Sequence, residues 1–143
     1  MTCRVHPLNS CEGYRFVVVY PRYRGRWLFT RHRLRDTWET AGGHIEPGEV
    51  PLMAAKRELW EETGAVEFDI APVFDYWAGD DTGSAYGMVF MAEVHVLGEI
   101  PECEVSMAEV KLFDGLPEKL TYPGITPVLF AQLPLQKDCH PRP

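Results

Sequence analysis

Three glutamates, Glu58, Glu61 and Glu62, crowd the stretch RELWEETG over residues 57–64. At spacings of i, i+3 and i+4 they share one face of a helix, with their Cβ atoms as neighbours. Like charges so placed repel, by roughly 0.2–0.5 kcal/mol per pair on an isolated helix, unless a cation sits among them. One source of relief is ordinary: solvent together with Lys56 and Arg57, which makes an idle charged helix face. The other is a divalent cation, because Mg²⁺ prefers carboxylate oxygens and shares its shell with waters and substrate phosphates. The surrounding residues decide between them.

The cluster closes a longer pattern, GHIEPGEVPLMAAKRELWEETGA, residues 43–65. Gly43, Glu49, Arg57, Glu58, Leu59, Glu61, Glu62 and Gly64 stand at the fixed positions of G-x5-E-x7-R-E-U-x-E-E-x-G-U, where U is a bulky aliphatic residue. The segment thereby resembles the signature of the Nudix hydrolases, and so many fixed positions make it far more specific than a lone glycine motif. Ala65, smaller than the usual aliphatic residue, is the one departure. The order of strands around the segment is similar to that family's single domain, and RWLFTRHRLRDTWETAGGHIEPGE resembles the small bacterial MutT-like members.

The resemblance implies an α/β fold, an α/β/α sandwich with a mixed β-sheet, and hydrolysis of a phosphoanhydride by water with Mg²⁺ as cofactor, Mn²⁺ as its substitute. Carried over by position, Glu61 and Glu62 are the expected metal ligands, Gly42 adds a backbone carbonyl, and Glu49 helps hold the metal or its waters. Glu58 is either a ligand or the base that activates water. Arg57 orients the glutamates, which suits a planar guanidinium able to bind a carboxylate through two donors. A further carboxylate is expected from the loop before the last strand: Glu104, with Glu102 as the alternative and plain solubilisers as the bland reading of both. Independently of any family, a metal there relieves the repulsion, neutralises charge on phosphate oxygens and lowers the pKa of bound water.

For the substrate, TRHRLRD places Arg31, Arg33 and Arg35 at a strand end within reach of phosphate oxygens, Arg31 foremost. His44 either lines the site or packs in its loop. Trp38, Tyr76, Trp77, Phe113 and Tyr122 are available to stack a base, buried packing being the ordinary role of each. The first expectation is a nucleoside triphosphate, including an oxidised one such as 8-oxo-dGTP, cleaved to nucleoside monophosphate and pyrophosphate. In the best-known oxidised-guanine members an amide just before the last helix reads the base, and Ile125 holds that place here. Alternatives are ADP-ribose, a nucleotide sugar or a dinucleoside polyphosphate, and RNA 5′ ends less readily. A non-catalytic nucleotide-binding regulator is disfavoured because the signature glutamates are all present.

The elements that position these residues are legible in outline. The sequence predicts strands over 14–20 and 26–31 joined by a turn in PRYRG, then a long working loop over 32–49. A helix follows from Pro51, with Gly64 in the left-handed position past its end and Val50 as a poor N-cap. Leu52, Ala55 and Leu59 form the apolar stripe expected to face a core, leaving the glutamates at an open edge. VEFDIAPVFDYWA and AYGMVFMAEVHV read as strands joined by GDDTGS, the second apolar on both faces and so central. EVKLFD reads as a strand, 125–133 as a short helix, and 134–143 as a frayed tail.

The whole chain sets outer bounds. Its 143 residues suit one domain, and 14 basic against 21 acidic residues, net −7, disfavour a nucleic-acid polymer as partner. No stretch reaches the roughly eighteen apolar residues of a membrane span, and MTCRVHPLNS lacks a signal-peptide core, so a cytoplasmic protein without membrane partners is expected, as monomer or homodimer. Cys3, Cys11, Cys103 and Cys139 fall at no disulfide or metal spacing and are expected as free thiols. A terminal zinc site from Cys3, His6, Cys11, Cys139 and His140 lacks the C-x-x-C pair that would support it.

Overall fold

The computed structural model describes residues 1–134. From Leu135 onward the expected tail, with Cys139 and His140, lies outside the described residues. The chain runs β1 (Thr2–His6), β2 (Tyr14–Tyr23), β3 (Arg26–His32), β4 (Trp38–Glu39), β5 (Ala41–His44), α1 (Pro51–Thr63), β6 (Ala65–Asp80), β7 (Gly83–Leu97), β8 (Met107–Phe113) and α2 (Thr126–Ala131). One eight-stranded sheet orders them β1-β6-β7-β2-β3-β4, with β5 on β2 and β8 on β3. β2 and β7 pair in parallel and the other strand pairs antiparallel, so the sheet is mixed.

Each face of the sheet carries one helix, which is the expected α/β/α sandwich. The period-2 alternation of the central strands sorts the core. Val17, Val19, Leu28, Met88 and Phe90 pack with Ala54, Ala55 and Leu59 of α1. Tyr20, Phe29, Tyr76 and Val89 pack with Leu129 of α2. β7, apolar toward both helices, is central as its composition requires.

Several boundaries differ from the sequence reading, each for a local reason. β2 continues through Pro21 to Tyr23, and the turn contracts to Arg24 and Gly25, whose φ values of 54° and 78° give the mirror-image geometry that suits strand twist. Pro21 is tolerated because it falls at a seam: β5 pairs with Phe16–Val19 and β3 with Arg22 and Tyr23, leaving that edge unpaired between them. Beyond that seam β2 and β3 part, and the stretch expected as loop supplies β4 to β3 and β5 to β2. β1, unmarked in the sequence, pairs with the far end of β6.

α1 begins at Pro51 with no side-chain cap from Val50, and Gly64 closes it at φ 81° with its N–H donating to the Trp60 carbonyl. A Cβ on Gly64 would meet the Gly98 and Glu99 carbonyl oxygens at 2.6 Å, so glycine is required twice over. The buried stripe of α1 is shifted from the expected one. Leu52 is exposed, whereas Ala54, Ala55, Leu59, Glu62 and Thr63 are buried. The glutamates therefore do not all sit at an open edge, because Glu62 belongs to the core-facing side. Among the described residues no helix is long and apolar enough to cross a membrane.

Candidate active site

The glycine pair sets how closely α1 approaches the sheet. A Cβ on Gly42 would stand 2.5 Å from the Val17 carbonyl oxygen, and one on Gly43 would stand 2.7 Å from Glu58 Oε1. One glycine lets β5 lie against β2, and its neighbour leaves the room that the Glu58 carboxylate occupies. The Gly42 N–H donates to Glu62 Oε1 at 2.9 Å. Glu62 is thus anchored across from the strand while 8% exposed.

Arg57 gathers the remaining carboxylates. Its Nε and Nη2 donate to the two oxygens of Glu49 at 2.7 and 2.9 Å. Its Nη1 donates to Glu58 at 2.8 Å and Glu61 at 3.0 Å, and Nη2 also reaches the His44 carbonyl at 3.1 Å. These contacts are partly buried, so they are screened less than a surface pair would be. The hydrogen bonds from Arg57 hold Glu49 well down, at about 2. Arg57, bonded first of all to Glu49, is held more firmly cationic than usual.

Glu58 and Glu62 are shifted the other way. Burial is the largest cause for Glu62, with the charges of Glu58, Glu39 and Glu104 adding to it, and the Gly42 N–H opposing. Burial likewise raises Glu58 first, against the pull of Arg57, and Glu62 is within hydrogen-bonding reach of it. Two carboxylates so close cannot both ionise cheaply without a cation. Hard oxygen donors on one patch are the donor set that suits Mg²⁺. With Glu58 and Glu61 turned onto Arg57, among the described residues no three His, Cys, Asp or Glu side chains converge on a single point. Arg57 takes only Oε1 of Glu58 and of Glu61, so the second oxygen of each remains available to a metal.

Beside this patch opens a cavity of about 580 Å³ lined at one end by Gly42, His44, Glu39 and Arg15. Its middle is aromatic and aliphatic, with Phe16, Tyr76, Tyr122 and Ile125, and its far lip is the β6–β7 turn with Asp80 and Ser84. That size and mixture suit a nucleotide-sized ligand. The His44 ring packs on Phe16 at a tilt of 52°, with ring centroids 4.4 Å apart.

The structure brings Gly42, Gly43, His44, Glu49, Arg57, Glu58, Glu61 and Glu62 together, with Glu104 close enough for its charge to act on Glu62. Glu104 also accepts the Ser106 N–H at 2.8 Å, whereas Glu102 is exposed. The three arginines expected at the phosphates are not on the cavity wall. Arg31 donates to Glu109 and to the Arg35 carbonyl, Arg35 pairs with Glu39, and Arg33 is exposed. The strand bearing Arg31 pairs with β8, which draws that side chain to Glu109. Among the five candidate stacking aromatics only Tyr76 and Tyr122 line the cavity; Trp38 and Phe113 pack on each other at 5.0 Å, and Trp77 carries Arg4. Arg15 and Glu39 were missed: the first is a single charge in a strand that was read but carries no site motif, the second lies in a two-residue strand that no periodicity reveals.

Comparison with known proteins identifies the family and the fold. The family model for the NUDIX domain matches residues 14–127. The chain is 33% identical over 108 residues to the Bacillus subtilis protein named "Putative 8-oxo-dGTP diphosphatase YtkD", covering 73% of this chain and 65% of that one. It is 37% identical over 57 residues to an RNA pyrophosphohydrolase of a Psychrobacter species, covering 38% and 33%. The chain thus spans less than two thirds of the length of these curated relatives. A crystal structure of a mutant form of the Bacillus subtilis pyrophosphohydrolase BsRppH matches with a TM-score of 0.80 at 22% identity, over 96% of this chain and 91% of that one. The chain belongs to the Nudix family, and its fold is the Nudix fold.

Proposed function

From membership of the Nudix family, we propose that this protein is a divalent-metal-dependent hydrolase that splits a phosphoanhydride of a nucleoside triphosphate into nucleoside monophosphate and pyrophosphate. The observation that carries the reading is the Glu58–Glu62 pair, held beside an Arg57-bound Glu49 and Glu61 and joined through Glu62 to the Gly42 N–H of the strand that lines a nucleotide-sized cavity.

Glu58, Glu61 and Glu62, with the Gly42 carbonyl and support from Glu49 and Glu104, would hold Mg²⁺, or Mn²⁺ in its place. When bound, the metal neutralises phosphate charge and makes a coordinated water acidic near neutral pH. The protein's own part is positional. Arg57 fixes Glu49 through two parallel donors and steadies Glu61, so the carboxylates keep one orientation. Gly43 leaves the space against β5 that the Glu58 carboxylate occupies, and where Glu58 serves as base rather than ligand, its raised proton affinity suits it to take a proton from attacking water. Arg15 and His44 supply the positive and hydrogen-bonding groups on the wall nearest the phosphates.

The substrate reading favours free nucleotides, 8-oxo-dGTP among them, in keeping with the name of the YtkD relative. A second reading, the 5′-triphosphate end of RNA, is favoured by the RNA pyrophosphohydrolase relative. The acidic balance of the chain weighs against a long polyanion except through the 5′ end itself. The test is release of pyrophosphate and phosphate, with and without Mg²⁺, from normal and oxidised nucleoside triphosphates, ADP-ribose, a nucleotide sugar and a triphosphorylated RNA oligomer. Preferential turnover of a free triphosphate supports the first reading. Turnover confined to the RNA, or to a diphosphate-linked substrate, replaces it.

A further inference from the structure

The apolar middle of the cavity carries a buried hydroxyl, that of Tyr76, which the fold does not use among the described residues. Tyr76 is 5% exposed and sits on β6 between Val5 of β1 and Gly87 of β7. Its ring lies so close over Gly87 that a Cβ at that position would overlap it, standing 2.7 Å from the phenolic oxygen. Glycine at 87 thus lets the ring lie flat against the strand, with its edge on the cavity wall.

Two other phenols of the sheet are satisfied. Tyr14 donates to Asp75 at 2.6 Å, and Tyr20 donates to the Thr126 carbonyl at 3.0 Å. Among the described residues the Tyr76 hydroxyl has no such partner, yet it is not one of the atoms sealed away from solvent without a hydrogen bond. It is therefore open to the cavity. A buried polar group left without a partner is costly, and such groups in native proteins call for a ligand or water. Tyr122, 46% exposed, lines the same cavity and offers it an aromatic face.

We infer that Tyr76 is a specificity-determining residue, whose hydroxyl hydrogen-bonds the edge of a purine base lying in this part of the cavity while Tyr122 stacks on its face. The inference rests on reading the cavity as a nucleotide site. Burial keeps the phenol protonated well above neutral pH, so it stays a donor as well as an acceptor. Oxidation of guanine at C8 turns N7 from an acceptor into an N–H donor. A phenol serves both, and Ile125 beside it can read neither. The site therefore binds oxidised and unoxidised guanine nucleotides with similar strength.

The test measures binding of dGMP, 8-oxo-dGMP and 2-deoxyribose 5-phosphate to the full chain by calorimetry, so it does not depend on turnover. Tyr76→Phe is expected to weaken both nucleotides roughly 3–10-fold, the range for losing one neutral hydrogen bond, and to leave the sugar phosphate unchanged. The variant's melting temperature should not fall, since no protein partner is lost. Unchanged nucleotide binding in Tyr76→Phe, or a preference above about tenfold for one guanine form that survives in it, overturns the inference. A ligand-side counterpart needs no variant: wild type should lose affinity for 7-deaza-dGMP or for the monophosphate lacking the 6-oxygen. Equal binding of all three bases overturns it too. Hydrolysis failing while this pattern holds would discard the proposed reaction and keep the base contact.

Discussion

Glu58 occupies the space that a side chain at residue 43 would fill: a Cβ on Gly43 would lie 2.7 Å from its Oε1 and 2.9 Å from its Cδ. The glycine is a condition for the carboxylate's position rather than for the turn of the chain. Gly43→Ala should therefore cut kcat/KM by about 100-fold, the scale on which a displacement of about 1 Å damages a positioned group. Its melting temperature should stay close to wild type, because a flexible carboxylate, not backbone, must give way. Steady-state kinetics beside thermal unfolding checks this, and near-normal turnover would show that Glu58 works equally well elsewhere.

Arg57 binds Glu49 through two donors and reaches Glu58 and Glu61 with a third. An ammonium keeps the charge but not the fork. Arg57→Lys should lose at least tenfold in kcat, with the metal concentration for half-maximal rate rising as the glutamates loosen. A variant indistinguishable from wild type in both would reduce Arg57 to a bystander charge.

Glu62, pushed up to about 9 chiefly by burial, sets a pH signature for the protein in EDTA. Its pKa in the unfolded chain is about 4.3. Between those values the folded chain holds a proton that the unfolded chain has released, so its contribution is fully present below about pH 4 and lost as pH rises toward 9. Glu49, held near 2 by Arg57, works oppositely: its contribution is present above about 4.3 and lost as pH falls toward 2. Urea unfolding of wild type and Glu62→Gln in EDTA should show their stability difference growing in favour of the variant from pH 5 to 9. A difference that shrinks or reverses would mean that Glu62 is stabilised as an anion.

Mg²⁺ should raise the melting temperature of wild type and have little effect on Glu62→Gln. A ligand present at 100 times its dissociation constant stabilises the state that binds it by about 2.7 kcal/mol. The shift should be larger at pH 8 than at pH 6, because binding must displace a proton from the Glu58–Glu62 pair. Differential scanning fluorimetry at the two pH values reads this directly. Equal shifts in wild type and variant would move the metal away from Glu62.

The glutamates, the glycine pair and the helix ends were legible in the sequence because each is tied to a local rule of spacing, capping or left-handed backbone. Long-range pairing decided what was not. Glu62 looked like surface because a helix pattern shows which residues share a face but not which face the sheet takes. The small side chains of Ala54 and Ala55 brought the helix close against β5, and Glu62 went under with them. Arg31 looked like a phosphate ligand because the sequence places it at a strand end; pairing with β8, far along the chain, gave it Glu109 instead. Glu39 reaches the cavity through a two-residue strand too short to announce itself, and Arg15 through a strand that was legible but whose cavity-lining position depends on the packing around it.

The carboxylate patch on α1 and the adjoining cavity are proposed to hydrolyse a nucleotide phosphoanhydride together. The most direct measurement is pyrophosphate release from nucleoside triphosphates by wild type and Glu62→Gln, side by side with Mg²⁺ and with EDTA. Turnover by wild type is expected only with Mg²⁺, with a loss of at least 100-fold in the variant, which stays folded. Release that persists in EDTA, or that Glu62→Gln sustains at the wild-type rate, would contradict it.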